Sequence, residues 1–171
     1  RLTTLGLFSQ RYGRFEARLK LPAGQGIWPA FWLLGESFPN IGWPACGEID
    51  IMEARGQHEG IVHGSLHGPG YSGGAAISRS FEGSFDTNFT TDFHTFTVTW
   101  DPERIAFSVN DDVYHVVTPS SLTQGPWVFD GAFFIILNVA VGGHYPGDPD
   151  ATTPFPAEML VDYVRVWERD P

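Results

Sequence analysis

The alternation of apolar and polar residues along the chain predicts a protein built almost entirely of β-strands. Within GRFEARLKL, charged and apolar residues alternate strictly from Arg14 to Leu21, which is typical of a strand with one buried face. The following IWPAFWLLG is apolar on both faces, as expected for a strand inside a sandwich. Its alternation places Trp28 and Trp32 on one side of the sheet and Phe31 on the other.

Strand patterns continue to the end of the chain, in IVHGSLHG, FHTFTVTW, IAFSVNDDVYHVV, AFFIILNVAVGG and MLVDYVRVWE. AFFIILNVAVGG is apolar enough to be fully buried, whereas ESFPNIGWPACG and GPGYSGGAAISR are predicted to be loops. Turns are predicted at Asp101-Pro102 and at Asn110-Asp111-Asp112. Strands with two apolar faces need two sheets packed face to face. We therefore predict an all-β, two-sheet sandwich formed by a single domain over residues 1–171.

Composition supports this fold class and narrows the range of partners. Aromatic residues make up 15% of the chain, which also has 20 Gly and 13 Pro, a mixture typical of turn-rich β proteins. The formal net charge of −10 disfavours nucleic acid and polyanionic substrates and permits a neutral ligand. No apolar run approaches the roughly 20 residues that span a membrane, and the chain opens without a signal-peptide pattern. With Cys46 as its single cysteine, the chain has no internal disulfide.

The segment GEIDIMEARG sets three acidic side chains, Glu48, Asp50 and Glu53, among apolar residues. Ile49 and Ile51 favour a strand, and in a helix the two glutamates would lie about 140° apart. In a regular strand Glu53 points away from the other two acids, to a face where a carboxylate is buried at high cost. A single β-bulge between Asp50 and Glu53 restores the parity. We therefore predict a bulge that brings all three acids onto one face.

The spacing that this bulge produces predicts the chemistry of the two glutamates. With one residue absorbed, their backbones lie four strand steps apart, about 13 Å, and the side chains reduce the carboxyl separation to about 5–6 Å. Retaining glycosidases hold two carboxyls at this separation, one as nucleophile and one as acid/base, whereas inverting enzymes hold them farther apart. Asp50, between them, would hydrogen-bond the nucleophile and keep the pKa of the acid high. A calcium site and a solvated acidic face are the alternatives.

Four segments together resemble glycoside hydrolase family 16, in particular its laminarinase branch of endo-β-1,3-glucanases. They are YGRFEARLKLPAGQGIWPAFWLLG, WPACGEIDIMEARG, FHTFTVTWDPERIAFSVND and FFIILNVAVGG, and they follow in family order through nearly the whole chain. The resemblance implies a jelly-roll, concanavalin-like sandwich with a glucan cleft on its concave face. It also implies that Glu48 is the nucleophile, Glu53 the acid/base and Asp50 the assisting acid, with no cofactor for catalysis.

A neutral sugar polymer is bound by aromatic faces and by hydrogen bonds to hydroxyl groups, and three tryptophans are candidates for the aromatic contacts. Trp43 lies five residues before Glu48, and the resemblance implies that it stacks on a sugar near the point of cleavage. Trp32 has the parity of Trp28, and one or both would floor the cleft. Core packing is the alternative, which we favour for Trp28. Trp127, in the loop GPWVFDGAFF, would stack on more distant sugar units.

Three polar residues extend this candidate site. Arg55 follows Glu53 by two residues and shares its face, so we predict that it binds sugar hydroxyl groups, with a salt bridge to a cleft acid as the alternative. Asn138 is the one polar residue in an apolar strand and needs partners, which the cleft can supply. His67 lies one strand away on the face of His63, and the resemblance favours a functional role for His67 more than for His63.

Away from the cleft, the resemblance implies a structural calcium ion on the convex side, with Asp162 of MLVDYVRVW at one ligand position. In the family the other ligands come largely from an N-terminal segment, whose strands precede RLTT. A separate N-terminal segment that completes the sandwich is therefore an expected partner, beside β-glucan itself. A secreted, extracellular protein is expected.

Three functions remain open on the sequence. The first is a retaining endo-β-1,3-glucanase that acts on laminarin-type glucan. The second is a non-catalytic β-glucan-binding module, known among relatives that lack the two glutamates, although both are present here. The third is a hydrolase of mixed-linkage β-1,3-1,4-glucan or of galactan, where the shorter acidic motif without the extra residue is commoner.

Overall fold

The structure is a computed structural model that describes residues 1–83 and 87–168. The strands in this part of the chain are β1 (Leu2–Thr3), β2 (Gly13–Lys20), β3 (Ile27–Gly35), β4 (Glu48–Ala54), β5 (Ile61–His67), β6 (Ile77–Glu82), β7 (His94–Asp101), β8 (Arg104–Val109), β9 (Asp112–Val117), β10 (Phe133–Val141) and β11 (Leu160–Trp167). A short helix, α1, spans Phe38–Ile41, and 3-10 turns span Gly73–Ala75 and Pro119–Ser121. None of the described helices is long and apolar enough to cross a membrane.

The strands form two antiparallel sheets. One has the order β1-β10-β3-β4-β5-β6, and the other has the order β11-β2-β7-β8-β9. Strands β3 to β6 and β7 to β9 are each joined to their sequence neighbours, while longer connections bring β10 beside β3 and β11 beside β2. The predicted all-β, two-sheet sandwich is therefore confirmed. Its acidic strand, β4, lies in the interior of the first sheet, with a strand on either side.

The core lies between the two sheets, where the apolar faces of their strands meet. The alternation of β2 places Phe15, Ala17 and Leu19 in this core with no exposed surface. Trp100 is also buried, and its indole Nε1 donates a hydrogen bond to the carbonyl oxygen of Phe129 at 3.1 Å. Such a partner lets a large side chain be buried without leaving its polar atom unsatisfied. The faces predicted for β2 and β3 are those observed.

Two of the predicted elements differ in detail. The segment predicted as the loop GPGYSGGAAISR contains the start of β6, because Ile77 packs against the core while its polar neighbours face solvent. The prediction that AFFIILNVAVGG is fully buried was wrong for its second half, where Val141 is 50% exposed. The short strand β1 pairs with β10 only at Ile136 and Leu137, and Gln10 forms an isolated bridge with Phe133. Among the described residues, Asn138 to Val141 therefore have a strand partner on one side only, which is β3.

Candidate active site

The bulge predicted in β4 is present and sets the geometry of the site. Asp50 pairs with Ser65 of β5 and Glu53 pairs with His63, so three steps along β4 match two along β5. A bulge with one surplus residue reverses the parity of every side chain that follows it. As a result, Glu48 and Glu53 line the same cleft, which encloses about 240 Å³.

Two tryptophans and an asparagine form the wall of this acid cleft. The indole Nε1 of Trp32 donates a hydrogen bond to Asn138 Oδ1 at 2.7 Å, and both residues line the cleft, as predicted. Trp28 lines the cleft as well, and its Nε1 donates a hydrogen bond to Glu53 Oε1 at 3.0 Å. The assignment of Trp28 to the core was therefore wrong. Its shared parity with Trp32 was the signal that pointed to the cleft.

His67 lies against the acids at the start of β4. Its Nε2 is 2.8 Å from Asp50 Oδ2 and 3.6 Å from Glu48 Oε1. Asp50 Oδ2 is buried and, despite this short distance, makes no hydrogen bond of normal geometry with any described residue. The backbone N–H of Gly73 donates to His67 Nδ1 at 3.1 Å. Because Nδ1 accepts, the proton of the neutral ring lies on Nε2 and faces the carboxyl groups.

Burial dominates the electrostatics of the three acids. It raises the pKa of Glu48 to about 8, and the charges of Asp50 and Glu53 add to this rise. The pKa of the fully buried Asp50 is raised well above its usual range by burial and then by the charge of Glu53. Burial also raises the pKa of Glu53, while His67 and the indole N–H of Trp28 act in the opposite direction. The cluster therefore retains at least one proton near neutral pH.

Trp43 lies beside the acids in a cavity that adjoins the acid cleft, and its predicted stacking on a sugar stays a prediction. Trp43 is 45% exposed, its ring centre lies 6.1 Å from that of His67, and it acts to lower the pKa of Glu48, against the effect of burial. Together with Glu48 and Trp32 it lines a second, more apolar cavity of about 330 Å³ that adjoins the acid cleft. An exposed indole beside a buried acid offers a flat apolar face to a ligand that reaches the carboxyl groups.

Arg55 and Tyr145 meet at the other end of β4. The guanidinium carbon of Arg55 lies 5.2 Å from the centre of the Tyr145 ring. Arg55 forms no ion pair with an acid in residues 1–83 and 87–168, so the alternative of a salt bridge to a cleft acid is not found. The sequence analysis missed Tyr145, which contacts Trp28 with 5.0 Å between ring centres. An aromatic residue in the glycine-rich segment GGHYPGDPD was the available signal, because loops often carry functional side chains.

Trp127 is the predicted cleft residue that the structure places elsewhere. Its indole packs edge to face on Phe129, with 5.0 Å between ring centres, and it adjoins the hydrophobic core. The apolar segment around Phe129 turns it inward, so a contact with sugar is not supported.

The acids of the cleft do not fit a metal ion, and the calcium ligand predicted at Asp162 stays a prediction. Asp162 Oδ2 forms a partly exposed ion pair with Arg18 Nη1 at 2.7 Å. Among the described residues, the one group of three metal-ligating side chains is Glu48, Asp50 and His67. His67 presents its protonated nitrogen to that group, whereas a metal needs the lone pair of a neutral ring.

Comparison with known proteins places the chain in a family. The family model described as "Glycosyl hydrolases family 16" matches residues 3–165. The chain is 41% identical to a β-glucanase of Rhodothermus marinus, over 98% of this chain and 61% of that protein. It therefore spans about three fifths of the length of this relative.

Two solved structures are also similar over nearly the whole chain. The laminarinase catalytic domain of Thermotoga maritima matches with a TM-score of 0.96 and 48% identity, over 99% of this chain and 68% of that one. The endo-β-1,3-glucanase of Pyrococcus furiosus matches with a TM-score of 0.94 and 50% identity, over 96% of this chain and 64% of that one.

Proposed function

The chain belongs to glycosyl hydrolase family 16, and from this premise we propose that it cleaves laminarin-type β-1,3-glucan within the polymer, with retention of anomeric configuration. The observation that carries the proposal is the bulge of β4, which turns Glu48 and Glu53 into one cleft. The similar proteins named above, a β-glucanase, a laminarinase and an endo-β-1,3-glucanase, support the choice of substrate. We propose extracellular action on this polymer.

The reaction we propose has two displacements. In the first, a carboxylate oxygen of Glu48 bonds to the anomeric carbon as the glycosidic C–O bond breaks, and Glu53 gives its proton to the leaving oxygen. In the second, Glu53 takes a proton from water, whose oxygen bonds to the anomeric carbon and displaces Glu48. Each glutamate ends in the protonation state in which it began, so the cycle is closed.

Asp50 and Trp28 favour the protonation states that Glu48 and Glu53 need as nucleophile and as acid/base. Asp50 lies beside Glu48, and its charge helps to raise the pKa of Glu48, while its own strongly raised pKa favours Asp50 as the holder of the shared proton. A proton on Asp50 removes the negative charge that helps to raise the pKa of Glu48, so Glu48 can ionise and attack. The indole N–H of Trp28 hydrogen-bonds Glu53 and so favours the carboxylate that remains after Glu53 has donated its proton.

Substrate contacts are proposed for five side chains around these acids. Trp43 and Trp32 offer aromatic faces to sugar rings, because both line the cavity that adjoins Glu48. Asn138 lines the acid cleft, and Trp32 bonds to its side-chain oxygen, so this bond does not use the amide N–H donors of Asn138. We propose that Arg55 and His67 bind hydroxyl groups, since each carries an N–H group and lies close to an acid of β4 in sequence or in space.

The test is the hydrolysis of laminarin, followed by its reducing ends, with anomeric configuration determined by NMR. We expect β-configured first products from the wild type, and a loss of at least about 1,000-fold in kcat for Glu48→Gln, because the nucleophile is removed. The exposed acid Glu103 provides a matched control, and Glu103→Gln should leave the rate unchanged. Binding of laminarin without hydrolysis by the wild type would instead assign a glucan-binding function, and preference for barley glucan would assign mixed-linkage specificity.

A further inference from the structure

Tyr145 lies behind the wall of the acid cleft, in the segment that follows β10. It does not line the cleft itself, but its ring contacts Trp28, which does. The hydroxyl group of Tyr145 is buried and has no hydrogen-bond partner among the described residues. The contacts that can hold neighbouring side chains in place are therefore those of the ring, and the hydroxyl group interacts with Arg55 and the cleft acids through charge.

Hydrogen bonds hold the backbone of the segment that carries Tyr145 on both sides of that residue. The side-chain amides of Gln25 and Gln57 both donate hydrogen bonds to the carbonyl oxygen of Pro146, at 3.3 and 2.7 Å. On the other side, the backbone N–H of Gly142 donates to the carbonyl oxygen of Gly26 at 2.8 Å. With its backbone fixed in this way, the ring of Tyr145 is a stable surface for the side chains that rest on it.

Three side chains rest on that ring. The ring centre of Trp28 lies at 5.0 Å, the guanidinium carbon of Arg55 at 5.2 Å and the ring centre of His63 at 5.9 Å. The contact with Arg55 is a cation–π contact, and the guanidinium has no described acid to hold it instead. The indole of Trp28 is thus held between Tyr145 on one side and Glu53, to which it donates its N–H, on the other.

We propose that Tyr145 is a positioning residue: its ring holds Trp28 so that the indole N–H stays on Glu53. The inference rests on the acid/base role proposed for Glu53. Loss of the ring frees the indole, and Glu53 then loses the hydrogen bond that orients its carboxyl group. A displacement of about 1 Å at a reacting group can lower a rate by about 100-fold, so a residue outside the cleft can control turnover.

The experiment compares Tyr145→Phe, which keeps the ring, with Tyr145→Leu, which removes it. We expect Tyr145→Phe to retain the wild-type kcat on laminarin and Tyr145→Leu to lose about 10- to 100-fold in kcat with little change in KM. In a Trp28→Phe background, Tyr145→Leu should cost no more than about twofold, because the residue through which it acts is already absent. Tyr114 is the matched control, since it too has a buried, unpartnered hydroxyl group, and Tyr114→Leu should leave kcat unchanged.

A second readout does not depend on catalysis. The indole N–H resonance of Trp28 is assigned by its absence from the spectrum of Trp28→Phe, and its hydrogen exchange is measured in each variant. We expect exchange at least about tenfold faster in Tyr145→Leu and unchanged in Tyr145→Phe. Unchanged exchange in Tyr145→Leu, equal losses in both Tyr145 variants, or full additivity with Trp28→Phe would overturn the proposal. A wild type that exchanges as expected but does not hydrolyse laminarin would refute only the proposed function.

Discussion

Replacing Glu48 by glutamine tests the electrostatics of the acid cluster without any assay of activity. Burial, with the charges of Asp50 and Glu53, raises the pKa of Glu48 from 4.5 to about 8. A carboxyl group whose pKa is raised on folding holds its proton more tightly in the folded state than in the unfolded state. Its contribution to stability is therefore fully present below pH 4.5 and is lost as the pH rises towards 8.

The size of this effect follows from the same two pKa values. Each unit between them corresponds to about 1.4 kcal/mol, so ionising Glu48 in the folded protein costs at most about 5 kcal/mol. The neighbouring acids share this cost, because removal of one charge makes ionisation of the others easier. We therefore expect the free energy of unfolding of Glu48→Gln, relative to that of the wild type, to rise by about 2–4 kcal/mol between pH 5 and pH 8.

Urea unfolding at pH 5, 6, 7 and 8 measures this difference directly. Glu103→Gln again serves as the control, since Glu103 is exposed and lies in the turn between β7 and β8, and its stability curve should run parallel to that of the wild type. Parallel curves for Glu48→Gln and the wild type over the same range would refute the reasoning, because Glu48 would then titrate alike in the folded and unfolded protein.

Three further predictions concern other parts of the structure. Trp28→Phe removes the N–H that lowers the pKa of Glu53, so the alkaline limb of the pH profile of kcat/KM on laminarin should move to higher pH. An alkaline limb that does not move would argue against this hydrogen bond. Insertion of one alanine after Met52 should abolish hydrolysis and lower the urea midpoint of unfolding, because it turns the side chain of Glu53 into the core. Deletion of Met52 should retain more activity, because it leaves a regular strand with all three acids on one face. Equal losses of activity in the two variants would count against the parity argument. Burial raises the pKa of Glu16, but hydrogen bonds from Arg14, Tyr163 and Thr97 outweigh this effect and lower the pKa overall. In urea unfolding, Tyr163→Phe should therefore lower the free energy of unfolding by about 1–2 kcal/mol above pH 5 and by less at pH 3. The same loss at both pH values would show that the acceptor, Glu16, is not ionised.

Local patterns in the sequence were sufficient to predict most of the sandwich and the arrangement of the acids. The regular alternation in β2 and its interruption in β4 both indicate which face of the strand each side chain occupies. This assignment depends only on residues that are neighbours in sequence. The bulge could be predicted because the cost of burying Glu53 in the core excludes a regular strand.

Contacts between distant segments could not be predicted in this way. Tyr145 contacts Trp28 only because β10 pairs with β3 and the segment after β10 folds back on the start of β3. No local pattern in the sequence predicts this long-range contact. Trp127 was misplaced for a related reason, since a loop with a tryptophan can face either a ligand or the core. For Asp162, the partner is Arg18, 144 residues away in sequence.

The hydrogen bond from Gly73 to His67 gives a loop outside β4 influence over the acids within it. By donating to Nδ1, the Gly73 amide places the hydrogen of the neutral imidazole on Nε2, the nitrogen that lies beside Asp50 and Glu48. Gly73 has a φ of +57° with open space around it, so its backbone shape, and not lack of room, restricts what can replace it. A change in the shape of this turn therefore reaches the imidazole that lies against the acids, while every residue of the acid cluster itself stays the same.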